Sequence, residues 1–324
     1  MKQVVALEPG GAGVMHYVDA EKPQPGHGEV LVRIAYAGVN FIDVYHRSGV
    51  YAQSSRPIAL GLEASGRVEA TGADVSGFER GQRVAYAGGR GSYAEFSAVP
   101  ADKLVAIPDG IDDQTAAGAL LQGMTAHYLS HSTYPLKEGD VALVHAAAGG
   151  VGQLLVQTAK LRRAQVIATV SSAVKAQKAR AAGADHVVDY TQADFALETR
   201  RLTAGRGASV VYDSVGAATF IQSLDALQPR GMLVSFGNAS GPVPPFAPLL
   251  LAEKGSLFVT RPVLAAYTAT REELLWRAND VFSWLQQKKL RLAIDRIYPL
   301  ADAASAHRDL EGRLTQGKLL LRVG

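Results

Sequence analysis

Small residues between a buried strand and a helix form the stretch of this sequence that most clearly predicts chemistry. The stretch runs from Val141 to Gly152 and reads VALVHAAAGGVG. Dinucleotide-binding folds need small residues at three spaced positions, and Ala147, Gly149 and Gly152 fill them here. They allow the tight turn, the approach of a pyrophosphate and the packing of the helix on the strand. The helix N-terminus would then bind the phosphates, and a purely structural turn is the alternative.

The residues after the next strand indicate which dinucleotide would bind. NAD enzymes tend to place an acid about 20 residues after the glycines, where it holds the ribose 2′-hydroxyl. Here the chain reads TVSSAVK over residues 169–175, which contains no acid. Lys175 and Ser171 suit a 2′-phosphate, as cation and as hydrogen-bond donor. A solvated helix start with serine caps is the alternative, but the missing acid favours NADPH.

Three other patterns resemble chemical sites but fit structural roles better. Residues 312–318, GRLTQGK, lack the Ser or Thr of a phosphate-binding P-loop, so we interpret them as a helix end followed by a final strand. His127 and His131 have a metal-ligand spacing without an acidic third ligand, which favours two histidines on a helix surface. Asp112 and Asp113 suit a turn and a helix cap. The sequence has no Gly-x-Ser-x-Gly elbow, so a hydrolase has no visible nucleophile.

Composition excludes several classes of protein. The chain has 324 residues, of which 48% are hydrophobic and 19% charged, so it carries enough apolar material for two packed domains. The formal net charge of +3 is too small to indicate nucleic acid or a membrane surface as a partner. The lack of cysteine excludes disulfides, thiolate-bound metals and cysteine nucleophiles. No apolar run approaches a membrane span and no signal peptide is visible, so we expect a cytoplasmic enzyme.

The elements that must position these residues follow two patterns. Over roughly the first 120 residues, short strands alternate with turns rich in Gly and Pro, which predicts a compact, barrel-like β domain. From Ala116 a helix begins, and apolar strands then alternate with helices, which predicts a doubly wound parallel sheet of the Rossmann type. Six strands are predicted, at 141–145, 166–170, 186–189, 209–213, 232–236 and 256–260.

The C-terminal segment follows a third pattern. A long helix over residues 272–287 contains both tryptophans, and a helix over 301–311 and a strand over 318–323 follow it. A segment of this length cannot bury a core of its own. We therefore expect it to return to the first domain.

Five stretches of the chain resemble the quinone oxidoreductases. They are NFIDVYHRSGVY at 40–51, HAAAGGVG at 145–152, VVYDSVG at 210–216, LVSFGNASG at 233–241 and KGSLFVTRP at 254–262. The resemblance covers essentially the whole chain and points to the bacterial NADPH-dependent, zeta-crystallin-like branch of the zinc-free medium-chain dehydrogenases/reductases. It implies an α/β chain with a GroES-like, β-rich catalytic domain at residues 1–124 and 265–324. A Rossmann NADPH-binding domain would be inserted at residues 125–264.

The chain differs from the zinc-dependent relatives at their metal ligands. Those relatives use a cysteine in the segment aligned with residues 38–40, where this chain has Asn40, and a Gly-His-Glu where it has Gly61-Leu62-Glu63. A single remaining carboxylate makes a catalytic zinc chemically implausible, and we expect no metal. Zinc eases the deprotonation of alcohols. Its loss therefore favours quinones and activated enones, which accept hydride without a metal.

The resemblance also assigns residues to a site. It implies that Asn40, Tyr45 and Tyr51 surround the substrate and the nicotinamide, with ordinary strand or loop packing as the alternative for the two tyrosines. The other assignments all concern NADPH. They are Thr125, Gly149, Gly150, Val151 and Gly152 at the pyrophosphate, Ser171, Lys175 and Tyr190 at the 2′-phosphate, and Ser214, Phe236, Gly237, Asn238, Phe258, Thr260 and Arg313 along the rest of the groove.

Together these features predict an NADPH-dependent quinone reductase. Hydride, or one electron at a time, would pass directly from NADPH to a quinone, with water or a tyrosine as proton donor. The first alternative is an NADPH-dependent enone or alkenal reductase on the same scaffold. The second is an NADPH-liganded RNA-binding or crystallin-like protein, which the small net charge and the missing RNA-binding motif disfavour.

The predicted sixth strand bears on assembly. Residues 255–262 would form a sheet edge whose apolar Leu257, Phe258 and Val259 are poorly suited to water. The resemblance implies that this edge pairs with its copy across a twofold axis and makes a homodimer. A loop over the edge, such as residues 241–250, would leave a monomer.

Overall fold

The chain folds into two compact units. The structure is a computed structural model, and it describes residues 1–53 and 55–323. The first unit consists of Met1–Leu121, Thr268–Lys288 and Leu292–Gly324, and the second of Gln122–Tyr267 and Lys289–Arg291. The chain thus leaves the first unit after Leu121 and returns to it at Thr268, and it crosses into the second unit again only for the three residues Lys289–Arg291.

The helices and strands follow one another in three groups. The first group is β1 (Lys2–Ala6), β2 (Met15–Asp19), β3 (Glu29–Val39), α1 (Phe41–Ser48), β4 (Ile58–Ala59), β5 (Glu63–Thr71), β6 (Arg83–Ala87), β7 (Phe96–Pro100), β8 (Leu104–Ala106) and α2 (Asp113–Tyr128). The second group is β9 (Val141–Val144), α3 (Gly150–Leu161), β10 (Gln165–Val170), α4 (Ala173–Ala181), β11 (His186–Asp189), α5 (Phe195–Leu202), β12 (Ala208–Asp213), α6 (Phe220–Ala226), β13 (Leu227–Ser235), α7 (Leu249–Glu253), β14 (Phe258–Thr260) and α8 (Leu264–Tyr267). The third group is α9 (Arg271–Gln286), β15 (Ile294–Pro299), α10 (Ala303–Glu311) and β16 (Lys318–Arg322). Within the described ranges, no helix is both long enough and apolar enough to cross a membrane.

The first unit is built on strands, as its turn-rich sequence predicts. Its described residues form one sheet in the order β2-β1-β4 and another in the order β15-β16-β3-β5-β6-β8, with β7 also paired to β3. Val30, Val32 and Ile34 of β3 are buried in the core of this unit, together with Tyr86 of β6. Strand β16 pairs antiparallel with β3, so the C-terminal segment adds strands to this sheet.

The second unit is a parallel sheet with the strand order expected for dinucleotide binding. Its described residues give the order β11-β10-β9-β12-β13-β14, and every neighbouring pair is parallel. Strands β9 and β12 are buried along their whole length, because a parallel sheet of this kind is covered by helices on both faces. With β9 counted as the first strand, this is the 3-2-1-4-5-6 order of the Rossmann fold. The predicted fold class is confirmed.

The sixth strand is shorter than predicted. It begins at Phe258 and not at residue 256. Gly255 and Ser256 have φ angles of +113° and +56°, so the chain is still turning there. Leu257 is buried, whereas Phe258 is 57% exposed. The apolar residues of this edge therefore differ in exposure. Leu257 is inside the fold, and Phe258 faces water.

The interpretation of His127 as a surface residue is wrong, whereas His131 is half-buried. His127 is fully buried, and its ring stacks on that of His131 with 4.5 Å between the ring centroids. Helix α2 carries apolar or small residues on all sides, which is typical of a buried helix and not of one with a solvent face. A π-helical segment, Leu129–Thr133, follows directly and contains His131.

Candidate functional site

The loop between β9 and α3 is packed so closely that a side chain would not fit. A Cβ added to Gly152 would lie 2.3 Å from the carbonyl oxygen of Ala146 and 2.8 Å from the Cα of Ala147. The N–H of Ala147 donates to the carbonyl of Thr169 at 3.2 Å, which ties the loop to β10. Ala146 takes a φ of +49° at the turn. Glycine at position 152 is what lets the start of α3 lie against this turn.

The N-terminus of α3 is suited to an anion. Gly149 is its extended N-cap, and Gly150 and Val151 open the first turn. N–H groups in a first turn have no partner within the helix, and the helix dipole favours a negative charge there. A Cβ on Gly150 would lie 2.2 Å from Oε1 of Gln122, a residue of α2 that no motif in the sequence marks. Thr125 lies three residues further along α2, on the same face as Gln122.

A lysine and a serine lie together at the carboxyl end of β10. The Nζ of Lys175 donates to Oγ of Ser171 at 3.3 Å, and both side chains are half-buried. Ser172 is the N-cap of α4, since its Oγ accepts from the N–H of Lys175 at 3.3 Å. Both interpretations of this segment therefore hold, because Ser172 caps the helix and Ser171 pairs with Lys175. Tyr190 follows the neighbouring strand β11, donates its N–H to the carbonyl of Val170 at 3.1 Å and is 38% exposed.

The carboxyl ends of β12, β13 and β14 bring a further set of predicted residues to the same edge of the sheet. Ser214 follows β12, and Phe236, Gly237 and Asn238 follow β13. A Cβ added to Gly237 would lie 2.3 Å from the carbonyl oxygen of Ser214, so these two segments touch through their backbones. Thr260 is the last residue of β14. Ligands of parallel α/β sheets bind at this edge.

Two predicted cofactor residues lie elsewhere. Phe258 begins β14 and is paired in register with Met232, so it lies toward the amino end of the sheet. Arg313 belongs to the first unit, where it follows α10 with a φ of +58°. The roles of both residues in cofactor binding stay predictions.

In the first unit, the predicted catalytic residues all lie on or next to α1. Asn40 is the N-cap of this helix and is buried. Tyr45 lies on the helix and is 8% exposed, so packing in a strand or loop is wrong for it. Tyr51 follows the helix, and its N–H donates to the carbonyl of Tyr45 at 3.0 Å. The two rings meet edge to face with 5.2 Å between their centroids.

The side chain of Asn40 lies in a cluster of buried polar groups. The Nζ of Lys318 donates to Oδ1 of Asn40 at 2.8 Å and to Oε2 of Glu63 at 2.5 Å. The Nδ2 of Asn40 donates to the same Glu63 oxygen at 3.0 Å. The other Glu63 oxygen accepts from the backbone N–H of Leu121 at 2.6 Å. We call Asn40, Glu63 and Lys318 the Asn40 cluster; Lys318 was recognised from the sequence only as the start of a strand.

A second chain of polar groups begins at Asp43. Its Oδ2 accepts from the backbone N–H of Asn40 at 2.9 Å and from the Tyr93 hydroxyl at 3.1 Å. The Tyr93 hydroxyl also lies 3.0 Å from Nε2 of His307, whose Nδ1 lies 3.2 Å from the guanidinium of Arg47. Asn40 and Asp43 are three residues apart at a helix start, which is a capping signal that the sequence does contain.

The protonation of this chain follows from its chemistry. Burial, with the charge of Arg47, lowers the pKa of His307 to about 3, so the ring is neutral. A guanidinium only donates, so Nδ1 of His307 accepts and Nε2–H donates to the Tyr93 oxygen. The Tyr93 hydroxyl is then left to donate to Asp43, and burial raises its own pKa well above 10. Burial also raises the pKa of Asp43 to about 7.

The Asn40 cluster does not fit a zinc ion. The ammonium of Lys318 already donates to the amide oxygen of Asn40 and to one oxygen of Glu63, and the backbone N–H of Leu121 donates to the other Glu63 oxygen. Leu62 stands at the remaining ligand position and is buried. In residues 1–53 and 55–323, no three His, Cys, Asp or Glu side chains converge as a metal-binding group.

Comparisons with known proteins agree with both units. Residues 26–109 match the alcohol dehydrogenase GroES-like domain, and residues 182–321 match the zinc-binding dehydrogenase family. A quinone oxidoreductase of Pseudomonas aeruginosa is 46% identical over 313 residues, which cover 96% of each chain. A 2-haloacrylate reductase of a Burkholderia species is 40% identical over 319 residues, with the same coverage.

A solved structure extends the match to three dimensions. The quinone oxidoreductase of Escherichia coli, solved in complex with NADPH, superposes on this chain with a TM-score of 0.98. The two are 41% identical, and the match covers 100% of both chains. The resemblance predicted from the sequence motifs is confirmed. The chain belongs to the quinone oxidoreductase family of the medium-chain dehydrogenases/reductases.

Proposed function

We propose that this chain is an NADPH-dependent quinone reductase that works without a metal. The observation that carries the proposal is the pairing of Lys175 with Ser171 at the carboxyl end of β10, next to a loop that accepts only glycine at position 152. The first feature suits a 2′-phosphate and the second suits a pyrophosphate. The relatives named for quinone reduction supply the substrate class.

The second unit would hold the coenzyme. The first turn of α3 would donate N–H groups to the pyrophosphate, and Lys175, Ser171 and Tyr190 would hold the 2′-phosphate. Ser214, Gly237 and Thr260 would line the same edge of the sheet. When bound, NADPH supplies the hydride. The protein's part is to hold its partners in a reactive geometry and to keep water away.

The first unit would hold the quinone. Asn40 would offer a fixed amide, since both of its polar atoms are anchored by Glu63 and Lys318. The edge-to-face rings of Tyr45 and Tyr51 would provide an aromatic wall for a flat substrate. A quinone that accepts hydride becomes an oxyanion and takes up one proton, for which water or one of these tyrosines is the proposed donor.

One relative favours a second candidate function. The 2-haloacrylate reductase of Burkholderia acts, by its name, on an activated double bond. Such a substrate accepts hydride at carbon, and the same unit would then stabilise an enolate in place of a quinone oxyanion. The runner-up is therefore an NADPH-dependent reductase of activated alkenes.

Turnover with matched substrates tests the two functions. NADPH oxidation is measured with 1,4-benzoquinone, with a 2-alkenal, with 2-chloroacrylate and with a simple alcohol plus NADP. We expect the highest kcat/KM with the quinone, no alcohol oxidation and unchanged rates after exhaustive chelation. A higher kcat/KM with either alkene would select the runner-up. Stoichiometric zinc that is lost together with activity would contradict the metal-free mechanism.

The edge strand supports a proposal about assembly. β14 ends the strand order of the parallel sheet, and Phe258, Leu249 and Val263 nearby in the chain are each more than half exposed. An unpaired edge with apolar side chains is a template for pairing with a second copy. We propose a homodimer built on residues 255–262.

Phe258→Lys should weaken such a dimer, because it places a charge at the pairing edge. The side chain is 57% exposed, so the fold should tolerate the change. Leu197→Lys on α5 is the matched control, since it adds the same charge at a leucine that is 67% exposed. Light scattering at micromolar concentration should give twice 34.2 kDa for the wild type and the control. A wild-type mass of one chain would contradict the proposal.

A further inference from the structure

A buried ion pair anchors the Asn40 cluster. Lys318 opens β16 and Glu63 opens β5, and both side chains are 0% exposed. Their charged atoms are 2.5 Å apart. Removing two charges from water is expensive, and replacing a buried ion pair with apolar residues is often neutral or even stabilising. Fold stability alone therefore gives no reason for this pair.

The pair orients the amide of Asn40 together with the backbone of Gly38, whose carbonyl accepts from Nδ2 at 3.4 Å. An ammonium can only donate and a carboxylate can only accept, so Oδ1 of Asn40 must face Lys318 and Nδ2 must face Glu63. If the amide were flipped, its N–H group would face the Lys318 ammonium, which is also a donor, and its oxygen would face the Glu63 carboxylate, which is also an acceptor. Neither charge alone fixes both atoms of the amide.

The surroundings leave this arrangement no freedom. A Cβ added to Gly38 would lie 2.2 Å from Oε2 of Glu63 and 2.8 Å from Nζ of Lys318. The second oxygen of Glu63 is held by the N–H of Leu121 at 2.6 Å. The carboxylate is thus fixed from α2, the ammonium from β16, and the amide lies between them.

We propose that Lys318 and Glu63 are positioning residues for the reaction, and that the Lys318 ammonium is the built-in cation of a cluster whose donor set does not fit zinc. The inference rests on the proposed function, since it acts through Asn40 at the proposed substrate site. Lys318 orients the amide oxygen and Glu63 orients the amide N–H. Their loss should therefore lower kcat far more than it changes coenzyme binding.

A double variant separates positioning from stability. Lys318→Met alone would leave the Glu63 carboxylate buried and unpaired, so it is combined with Glu63→Gln to keep the site neutral. We expect kcat with 1,4-benzoquinone to fall on the order of 10- to 100-fold, as for other residues that orient a functional group. The melting temperature and the dissociation constant for NADPH should stay close to those of the wild type.

The matched control removes a similar pair in the second unit. Lys160 donates to Asp185 at 2.7 Å, and this carboxylate also accepts a backbone N–H, that of Val166. Lys160→Met with Asp185→Asn therefore removes a lysine–carboxylate pair with a similar hydrogen-bonding pattern, although both of its side chains are 36% exposed. Its kcat should equal that of the wild type.

Chemical restoration of the ammonium provides a direct rescue. The chain contains no cysteine, so Lys318→Cys introduces a single thiol. Alkylation with 2-bromoethylamine in denaturant forms a carbon–sulfur bond, releases bromide and rebuilds a side chain of lysine's length and charge. The protein is then refolded. The same variant treated with iodoacetamide is the neutral control. We expect kcat to recover with the ammonium and not with the neutral group.

The outcomes distinguish this inference from the proposed function. A wild type that oxidises no NADPH with any quinone or alkene contradicts the proposed function. An active wild type with an equally active double variant contradicts only the positioning role. Equal activity of the two alkylated forms, or failure of both 318 variants to refold, also overturns it, because the pair would then be structural.

Discussion

Lys175→Glu is expected to weaken NADPH binding about 100-fold and to leave NADH binding within about threefold. The Nζ of Lys175 is held beside Ser171 at the carboxyl end of β10, where a 2′-phosphate would lie. A glutamate there removes a charge-assisted hydrogen bond and adds repulsion toward the phosphate. NADH carries a hydroxyl at that position, which a glutamate can accept from. Titration of the protein with each coenzyme, followed by coenzyme fluorescence, measures both constants.

Lys178→Glu is the matched control for this charge reversal. Lys178 lies on the same helix, α4, and is exposed. It makes the same change in net charge without facing Ser171. Its effect on NADPH should be small and should fade with added salt. Equal losses of NADPH and NADH in Lys175→Glu, or equal losses in the two variants, would remove the assignment of Lys175 to the 2′-phosphate.

The residues proposed to hold the coenzyme could be picked out from the sequence because their signals are local. The glycines, the strand before them and the helix after them lie within residues 141–163, and the discriminating Ser171 and Lys175 follow the next strand. Six apolar strands that alternate with helices permit few topologies, so the sheet order could be predicted as well. The contact of Gln122 with Gly150 could not be predicted, because Gln122 lies on a different helix and only the fold brings the two residues together.

The Asn40 cluster could not be predicted, because its members are distant in the sequence. Lys318 and Glu63 are 255 positions apart, and no local pattern connects them. Lys318 looked like an ordinary first residue of a strand, which it also is. The prediction for His127 is wrong for a different reason. A polar side chain on a helix is usually expected to face water, but this one is buried. The strand β15 was missed because its sequence IDRIYP mixes charges with apolar residues and has no clear alternation.

Helix α1 could have been predicted from a capping signal in the sequence. The eight residues FIDVYHRS lie inside a β-rich unit, and no helix was predicted there. Asn40 and Asp43, with the spacing of a capping box, mark its start. The same Asp43 is 1% exposed and accepts its two hydrogen bonds at Oδ2. Its Oδ1 has no hydrogen-bond partner within the part of the chain that the structure describes.

Asp43 should therefore make stability depend on pH near neutrality. Burial raises its pKa to about 7, and the nearby Glu63 charge adds to the effect, while the N–H of Asn40, the charge of Lys318 and the Tyr93 hydroxyl oppose it. In the unfolded chain the same carboxyl titrates near 3.8. Between these two values the folded protein binds more protons than the unfolded one. Its stability should thus fall as pH rises through this window and level off above about pH 7.

Asp43→Asn should abolish this dependence, because the amide keeps the shape and the acceptor but does not titrate. Relative to the wild type, the variant is expected to gain about 3 kcal/mol of unfolding free energy between pH 5 and pH 8, at about 1.4 kcal/mol per pH unit below the folded pKa. Melting temperatures of both proteins at each pH measure the change. Tyr93→Phe removes a donor that lowers the pKa of Asp43, so it should move the wild-type transition to higher pH.

Asp185→Asn provides a control, because the fold lowers the pKa of Asp185 whereas it raises that of Asp43. Burial acts to raise the pKa of Asp185, but the bonds from Lys160 and from the N–H of Val166 outweigh it and hold the pKa below its ordinary value. Its contribution is complete above the unfolded pKa and is lost only as pH falls through the lower folded value. The difference between Asp185→Asn and the wild type should therefore stay constant from pH 5 to pH 8. A constant difference for Asp43→Asn as well would mean that Asp43 stays ionised in the fold, with Arg47 at the far end of its hydrogen-bond chain as the source of compensation.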